Sequence, residues 1–362
     1  MNPARLGRVR SAMAESGVDA LLLSLGADLP WLTGYEAMPL ERLTLLVVPA
    51  DDDAVLLVPE LEAPRVEPQP DVFTVRPWAE LDDPIDIVGG LVGARSRFAV
   101  SDRMWSTFLL ALQAALPGRS WGVASAVTGP LRAVKDADEV EALAAASAAA
   151  DRVAAELLAG RIPLVGRTER EVSADLGRRL IEEGHQRVNF AIVGSGPNSA
   201  SPHHEPGDRR IGPGEAVVCD FGGTMGGYCS DITRTVFTGE PPAEFAELYA
   251  VLQAAQADAV AAAVVGVACE DVDRAAREPI AAGGYGGAFI HRTGHGIGLE
   301  EHEDPYIVSG NRTPLSAGHA FSVEPGIYLA GRFGARIEDI VVAAADGPRP
   351  LNRASHDLTV VG

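Results

Sequence analysis

The stretch VVCDFGGTMGGYCSDITRTV, residues 217–236, decides the reading of this chain. Its flanks, 217–221 and 229–236, have the β-branched and apolar make-up of strands, and the glycine-rich 222–227 between them signals a turn, so the segment reads as a hairpin. With the turn centred between Met225 and Gly226, Asp220 and Asp231 fall directly opposite each other on one face, β-carbons roughly 5 Å apart. Facing aspartates repel, and a strand pair that keeps them calls for a counter-cation. Oxygen ligands suit a hard divalent ion. Two solvated acids flanking a turn are the plainer alternative.

Moving toward the C-terminus, a second pair of segments has the same form. Residues 321–328 and 335–342 are apolar runs, each interrupted by one acid, Glu324 and Glu338. Between the two pairs lies HRTGHGIGLEEHEDP, residues 291–305, where glycines allow close backbone approach and His291, His295 and His302 cluster in a chain with eight histidines. Asp220, Asp231, Glu324 and Glu338 total about −4 when ionised, which two divalent cations neutralise and one does not. The imidazole of His295 in such a set argues against calcium or magnesium alone and for manganese, cobalt, zinc or iron.

Bulk properties set limits on function. At 362 residues, two domains are the prior, and 47% apolar content supplies ample core. The net charge of −20, with no basic run, argues against nucleic acid or an anionic membrane as partner. Cys219, Cys229 and Cys269 are too few and wrongly spaced for a disulfide framework, although the first two could face each other across the hairpin; they read as buried thiols in a reducing compartment. The stretch Met1–Arg5 lacks the pattern of a leader, and no segment has about 18 uninterrupted apolar residues, so a cytoplasmic protein is expected.

Residues 1–130 alternate helix and strand, with strands expected at 19–24, 43–48, 54–58 and 97–100 and helices at 5–15 and 104–115, an α/β domain with no ionisable cluster. From about residue 131 to 362 the pattern shifts to alanine-rich helices. Two are expected at 138–158 and from Thr168 to Gly184, where Thr168-Glu169-Arg170-Glu171 forms a capping box. After the acidic hairpin the layout recurs, with helices at 243–265 and 271–282 and then the second acidic pair. The steps from Asp220 to Glu324 and from Asp231 to Glu338 are nearly equal, suggesting a duplicated unit of two helices and a hairpin about a pseudo-twofold axis.

These residues resemble the pita-bread metallopeptidases: Xaa-Pro dipeptidases (prolidases), aminopeptidase P and methionine aminopeptidase. The resemblance rests on Asp220-Phe221-Gly222-Gly223, Ser230 to Thr235, Gly294 to Leu299, Glu324-Pro325-Gly326 and Arg336 to Asp339, and it covers nearly the whole chain. Trp31-Leu32-Thr33-Gly34-Tyr35 resembles part of the creatinase-type N-terminal domain of the Xaa-Pro branch. The resemblance implies that Asp231 and Glu338 bridge two ions, that Asp220 holds one, and that His295 with Glu324 holds the other. His203 matches a family site histidine; His291, His302 and Arg336 match substrate-contacting positions. Glu301 departs from the pattern, which usually has a β-branched apolar residue there.

The implied activity is dinuclear-metal hydrolysis of the peptide bond before proline in a small peptide with proline at its second position. His203, His302 and Glu324 are the catalytic candidates. Arg336 would either grip the substrate carboxylate or pair with ligand carboxylates. Xaa-Pro dipeptidase is favoured. Xaa-Pro aminopeptidase, a small-amide hydrolase on the same scaffold, and a non-enzymatic binding module built on an inactive copy are the alternatives. A homodimer with manganese is expected.

Overall fold

Apolar strands alternating with helices produce a six-stranded mixed sheet in the first third of the chain. The computed structural model describes residues 3–362; Met1 and Asn2, part of the stretch expected to carry no leader, lie outside them. Two units result, Met1–Arg132 and Ala133–Gly362. In the first, strands β1 (Ala20–Leu23), β2 (Leu45–Pro49), β3 (Val55–Pro59), β4 (Thr74–Trp78), β5 (Arg97–Val100) and β6 (Ser120–Val123) lie in the order β4-β3-β2-β1-β5-β6. β1, buried at every residue as a central strand should be, pairs antiparallel with β2 and parallel with β5. The helices are α1 (Pro3–Ser16), α2 (Asp28–Thr33), α3 (Pro84–Val92), α4 (Ser106–Ala115) and α5 (Ser125–Ala133). The Trp31–Tyr35 motif ends α2, with Gly34 in the left-handed C-cap.

The second unit holds α6 (Ala137–Leu158), α7 (Glu169–Glu182), α8 (Ala243–Ala262) and α9 (Cys269–Ala282). Capping boxes start both α6, at Asp136 and Glu139, and α7, at Thr168 and Glu171. Its strands are β7 (Arg187–Ser195), β8 (Ala216–Met225), β9 (Tyr228–Cys229), β10 (Ile232–Thr238), β11 (Gly294–Gly296), β12 (Glu303–Ile307), β13 (Ala320–Val323), β14 (Gly326–Leu329), β15 (Phe333–Arg336), β16 (Asp339–Ala344), β17 (Gly347–Pro350) and β18 (Thr359–Val361). One sheet runs β18-β10-β8-β7 with β9 beside β8, another runs β12-β11-β13-β16-β17, and β14 pairs with β15 alone.

Each large sheet has its own helix pair. Leu157, Leu176 and Leu180 of α6 and α7 join Val217, Phe221 and Val236 in one core cluster. Leu248, Leu252 and Ile280 of α8 and α9 join Phe321, Val323 and Val341 in the other. A fully buried leucine of this kind contributes about 1.5–3 kcal/mol. The two halves meet at an isolated antiparallel bridge between Thr233 and Glu338, where the Glu338 N–H donates to the Thr233 carbonyl at 3.2 Å. Arg234, fully buried, donates to the Glu338 carbonyl at 2.7 Å and to Asp339 Oδ1 at 2.7 Å.

Three expectations need correction. The hairpin turns one residue later than its sequence suggested. Gly226 and Gly227, at φ +59° and +85°, supply the two left-handed positions of a two-residue turn, so Met225 pairs with Tyr228 and Asp220 faces Thr233 rather than Asp231. Asp231 falls two residues back, diagonal to Asp220 on the same face. The second pair of runs is four short strands, broken at Glu324-Pro325 and at Ile337-Glu338; Pro325 has no N–H with which to continue a ladder. Cys219 and Cys229 do not face each other: Cys219 pairs with Arg234 and Cys229 with Thr224. All three thiols are free and buried. Among the described residues no helix is long and apolar enough to cross a membrane.

Candidate metal centre

The breaks in the strands are what make the site. Asp231 sits in the gap between β9 and β10, Glu324 just past β13, and Glu338 between β15 and β16, where the backbone leaves its ladder and turns the side chains inward. Asp220 projects from β8 and His295 from the middle of β11. The glycines flanking His295 let this short strand lie between two neighbours: a β-carbon at Gly294 would come within 1.7 Å of the Ser322 carbonyl oxygen, and one at Gly296 within 2.2 Å of that of Asp304. All five residues line one cavity of 430 Å³.

Within it, ligand atoms of Asp231, His295 and Glu338 lie within 4.8 Å of one another, and all three residues are buried. His295 Nε2 is 3.3 Å from Glu324 Oε1 and 3.7 Å from Asp231 Oδ2. Outer groups hold the carboxylates in place. Arg336 donates to Asp220 Oδ2 at 2.6 Å, the Thr233 hydroxyl to Glu338 Oε2 at 2.7 Å, and the Ser322 hydroxyl to Glu324 Oε1 at 3.2 Å. The second oxygen of Asp220 is buried with no hydrogen-bond partner.

Burial, followed by mutual repulsion among the acids, drives the Asp231 and Glu338 carboxyls well above the usual range. Burial pushes Glu324 up to about 7, against the pull of Arg336. The imidazoles move the other way: burial lowers His295 to about 3 and His291 to about 4, with His302 and Arg336 respectively adding to the effect. His302, exposed on one side, has its ring centroid 4.0 Å from that of His295; partial burial and then Arg292 hold it below its ordinary value. A neutral imidazole among crowded, buried carboxyls, one with an unpartnered oxygen, fits divalent cations: these would neutralise the acids and take the free lone pairs.

His203, His291, His302 and Arg336 line the same cavity. Arg336 is buried and all three of its nitrogens are engaged, Nε with the Thr233 hydroxyl at 3.1 Å, Nη1 with the Tyr328 hydroxyl at 2.8 Å and Nη2 with Asp220. His291 Nε2 lies 2.9 Å from that same Tyr328 hydroxyl. Tyr328, Arg292, Phe190 and Ile192 went unnoticed in the sequence. Tyr328 left no signal, because the break at Glu324-Pro325 interrupts the alternation that would relate it to Glu324. Arg292 directly follows His291. Phe190 and Ile192 lie on β7, a strand that sequence reading did not place.

Residues 140–345 match metallopeptidase family M24, and residues 5–134 match the creatinase/prolidase N-terminal domain. A protein of Mycobacterium tuberculosis named probable dipeptidase PepE is 45% identical, over 99% of this chain and 96% of its own length. An Xaa-Pro dipeptidase of Lactobacillus helveticus is 33% identical over 98% of both chains. The crystal structure of a prolidase from Thermococcus sibiricus superposes with a TM-score of 0.92 at 35% identity, covering 99% of both chains. Fold and sequence therefore agree on a creatinase-type α/β domain followed by a pita-bread domain, and the chain belongs to metallopeptidase family M24.

Proposed function

We propose that this protein is an Xaa-Pro dipeptidase that works with two divalent metal ions. The observation that carries the hydrolase part is the buried cluster of Asp231, His295 and Glu338 beside Asp220 and Glu324 in one cavity. The Xaa-Pro part is supported by the prolidase and Xaa-Pro dipeptidase relatives that match along nearly the full length. Asp231 and Glu338 would serve both ions, Asp220 one, and His295 with Glu324 the other. Manganese is the ion of choice in this reading, with cobalt, zinc or iron as substitutes. The substrate is a small peptide with proline second, and the protein acts as a cytoplasmic homodimer without nucleic acid or membrane partners.

Bound there, the ions supply a Lewis acid for the scissile carbonyl and a nucleophile at neutral pH. Glu324 takes a proton from the attacking water and delivers it toward the leaving proline nitrogen. His203 and His302, on the cavity wall, donate to the developing oxyanion and leaving nitrogen. An imidazole with a depressed pKa, as at His302, is neutral at pH 7 and still donates through one N–H. His291 and Arg336 remain substrate-contact candidates. The bonds of Arg336 favour its other reading, in which it holds Asp220 and Tyr328 in register.

A manganese-loaded panel of an Xaa-Pro dipeptide, an Xaa-Pro-Xaa tripeptide and a methionyl peptide tests the reading. Preference for the dipeptide is expected. Equal or faster cleavage of the tripeptide moves the assignment to Xaa-Pro aminopeptidase. Less than half an equivalent of bound metal per chain and no turnover of any peptide favours a binding module.

A further inference from the structure

Two acids in the stretch from β11 into β12, Glu301 and Glu303, have different fates. Glu303 is paired with Lys135 at 2.6 Å, a largely buried contact. Glu301 is half-buried on the cavity wall, and its carboxylate has no hydrogen-bond or ion-pair partner among the described residues. The loop just before it is tied down: the Cys229 N–H donates to the Gly298 carbonyl at 2.8 Å, and the Gly298 N–H to that of Glu300 at 3.0 Å. Arg292, the cavity's other wall cation beside Arg336, lies 4.5 Å over the Tyr306 ring and forms no ion pair with Glu301.

An unpaired carboxylate loses water when substrate fills the cavity, and only a substrate that returns a cation compensates. An Xaa-Pro dipeptide has one variable side chain, that of the residue before proline. We infer that Glu301 selects a lysine or arginine side chain at that residue and disfavours an acidic one. The inference rests on the Xaa-Pro reading. Phe190 and Ile192, which line the same cavity, offer apolar surface to the methylene stem of such a side chain. The substrate's α-amino group is the other cation within reach of this chemistry, and it is common to every Xaa-Pro dipeptide.

Steady-state kcat/KM for Arg-Pro, Leu-Pro and Glu-Pro, measured on the full-length manganese-loaded protein, separates these cases. The wild type should rank Arg-Pro first and Glu-Pro last. Glu301→Gln should shrink the Arg-Pro to Leu-Pro ratio by roughly fivefold, the size of one partly exposed charge pair. Glu301→Lys should invert the order in favour of Glu-Pro, a gain that a misfolded variant cannot produce. Ratios unaffected by residue 301, or equal losses for all three peptides as an amine contact would give, overturn the inference alone. Failure of the wild type to cleave any of the three overturns the Xaa-Pro reading and the inference with it.

Discussion

His204 donates a 2.8 Å hydrogen bond to Glu169, one residue along from His203 on the cavity wall. Glu169 is fully buried at the start of α7 and also accepts from the Ser195 N–H at 2.8 Å, the Ser195 hydroxyl at 2.7 Å and the Asn198 amide at 3.0 and 3.1 Å. These donors bracket the segment that brings His203 to the cavity. Glu169→Gln turns an amide N–H₂ toward a ring of donors. It should cost about 1–3 kcal/mol of stability and lower kcat, and the kcat loss should vanish in a His203→Ala background. Thermal unfolding and a double-mutant cycle on kcat test this, and additive losses would count against it.

Asp231→Asn should abolish turnover while making the metal-free protein more stable. The change removes one member of a set of crowded, buried acids without altering its shape. Added manganese should raise the Tm of the wild type and have little effect on that of the variant. A variant that is less stable than wild type without metal would contradict the account of repulsion.

Stability of the metal-free protein should depend on pH in a way that metal reverses. Asp231, Glu324 and Glu338 have folded pKa values raised above the unfolded value, so their stabilising contribution is complete below about pH 4. It is lost as pH rises through the folded values, about 7 for Glu324. His291 and His295 are depressed, so they favour the folded state above the unfolded histidine value of about 6.5 and lose that contribution as pH falls toward about 4 and about 3. Three raised acids outweigh two depressed imidazoles, so Tm of the metal-free protein should fall as pH rises from about 5 through about 7. Saturating manganese, which favours the ionised acids, should flatten that fall.

Arg336→Lys keeps the charge and gives up the fork that engages Thr233, Tyr328 and Asp220 together. A loss of roughly 10–100-fold, carried mainly by kcat and metal affinity, is expected. A rise confined to KM for dipeptides with a free carboxylate, absent for their amides, would instead identify Arg336 as the substrate's carboxylate partner.

Much of this was legible because the chemistry is concentrated at interruptions. An acid inside a β-branched run, as at Glu324 and Glu338, conflicts with burial, and the conflict marks the site. Helix α7 could be placed closely because its capping residues act locally, and α6 from its alanine-rich run. Register was harder: the hairpin held four glycines, and only the backbone shows which two adopt the left-handed conformation, so Asp220 was set two residues away from its true partner. β7 went unplaced because its apolar run, Phe190 to Val193, is too short for periodicity to tell a strand from a piece of helix. The bonds of Arg336 to Thr233 and Asp220 join residues more than 100 apart and leave no local pattern.

The Thr233–Glu338 bridge places a candidate ligand on the seam where the two half-sheets join. Whatever tightens the grip of the Glu338 side chain also restrains its own amide, which donates across that seam. Deuterium uptake at this one peptide group should therefore slow on cation loading, making the join between the repeats a built-in gauge of occupancy.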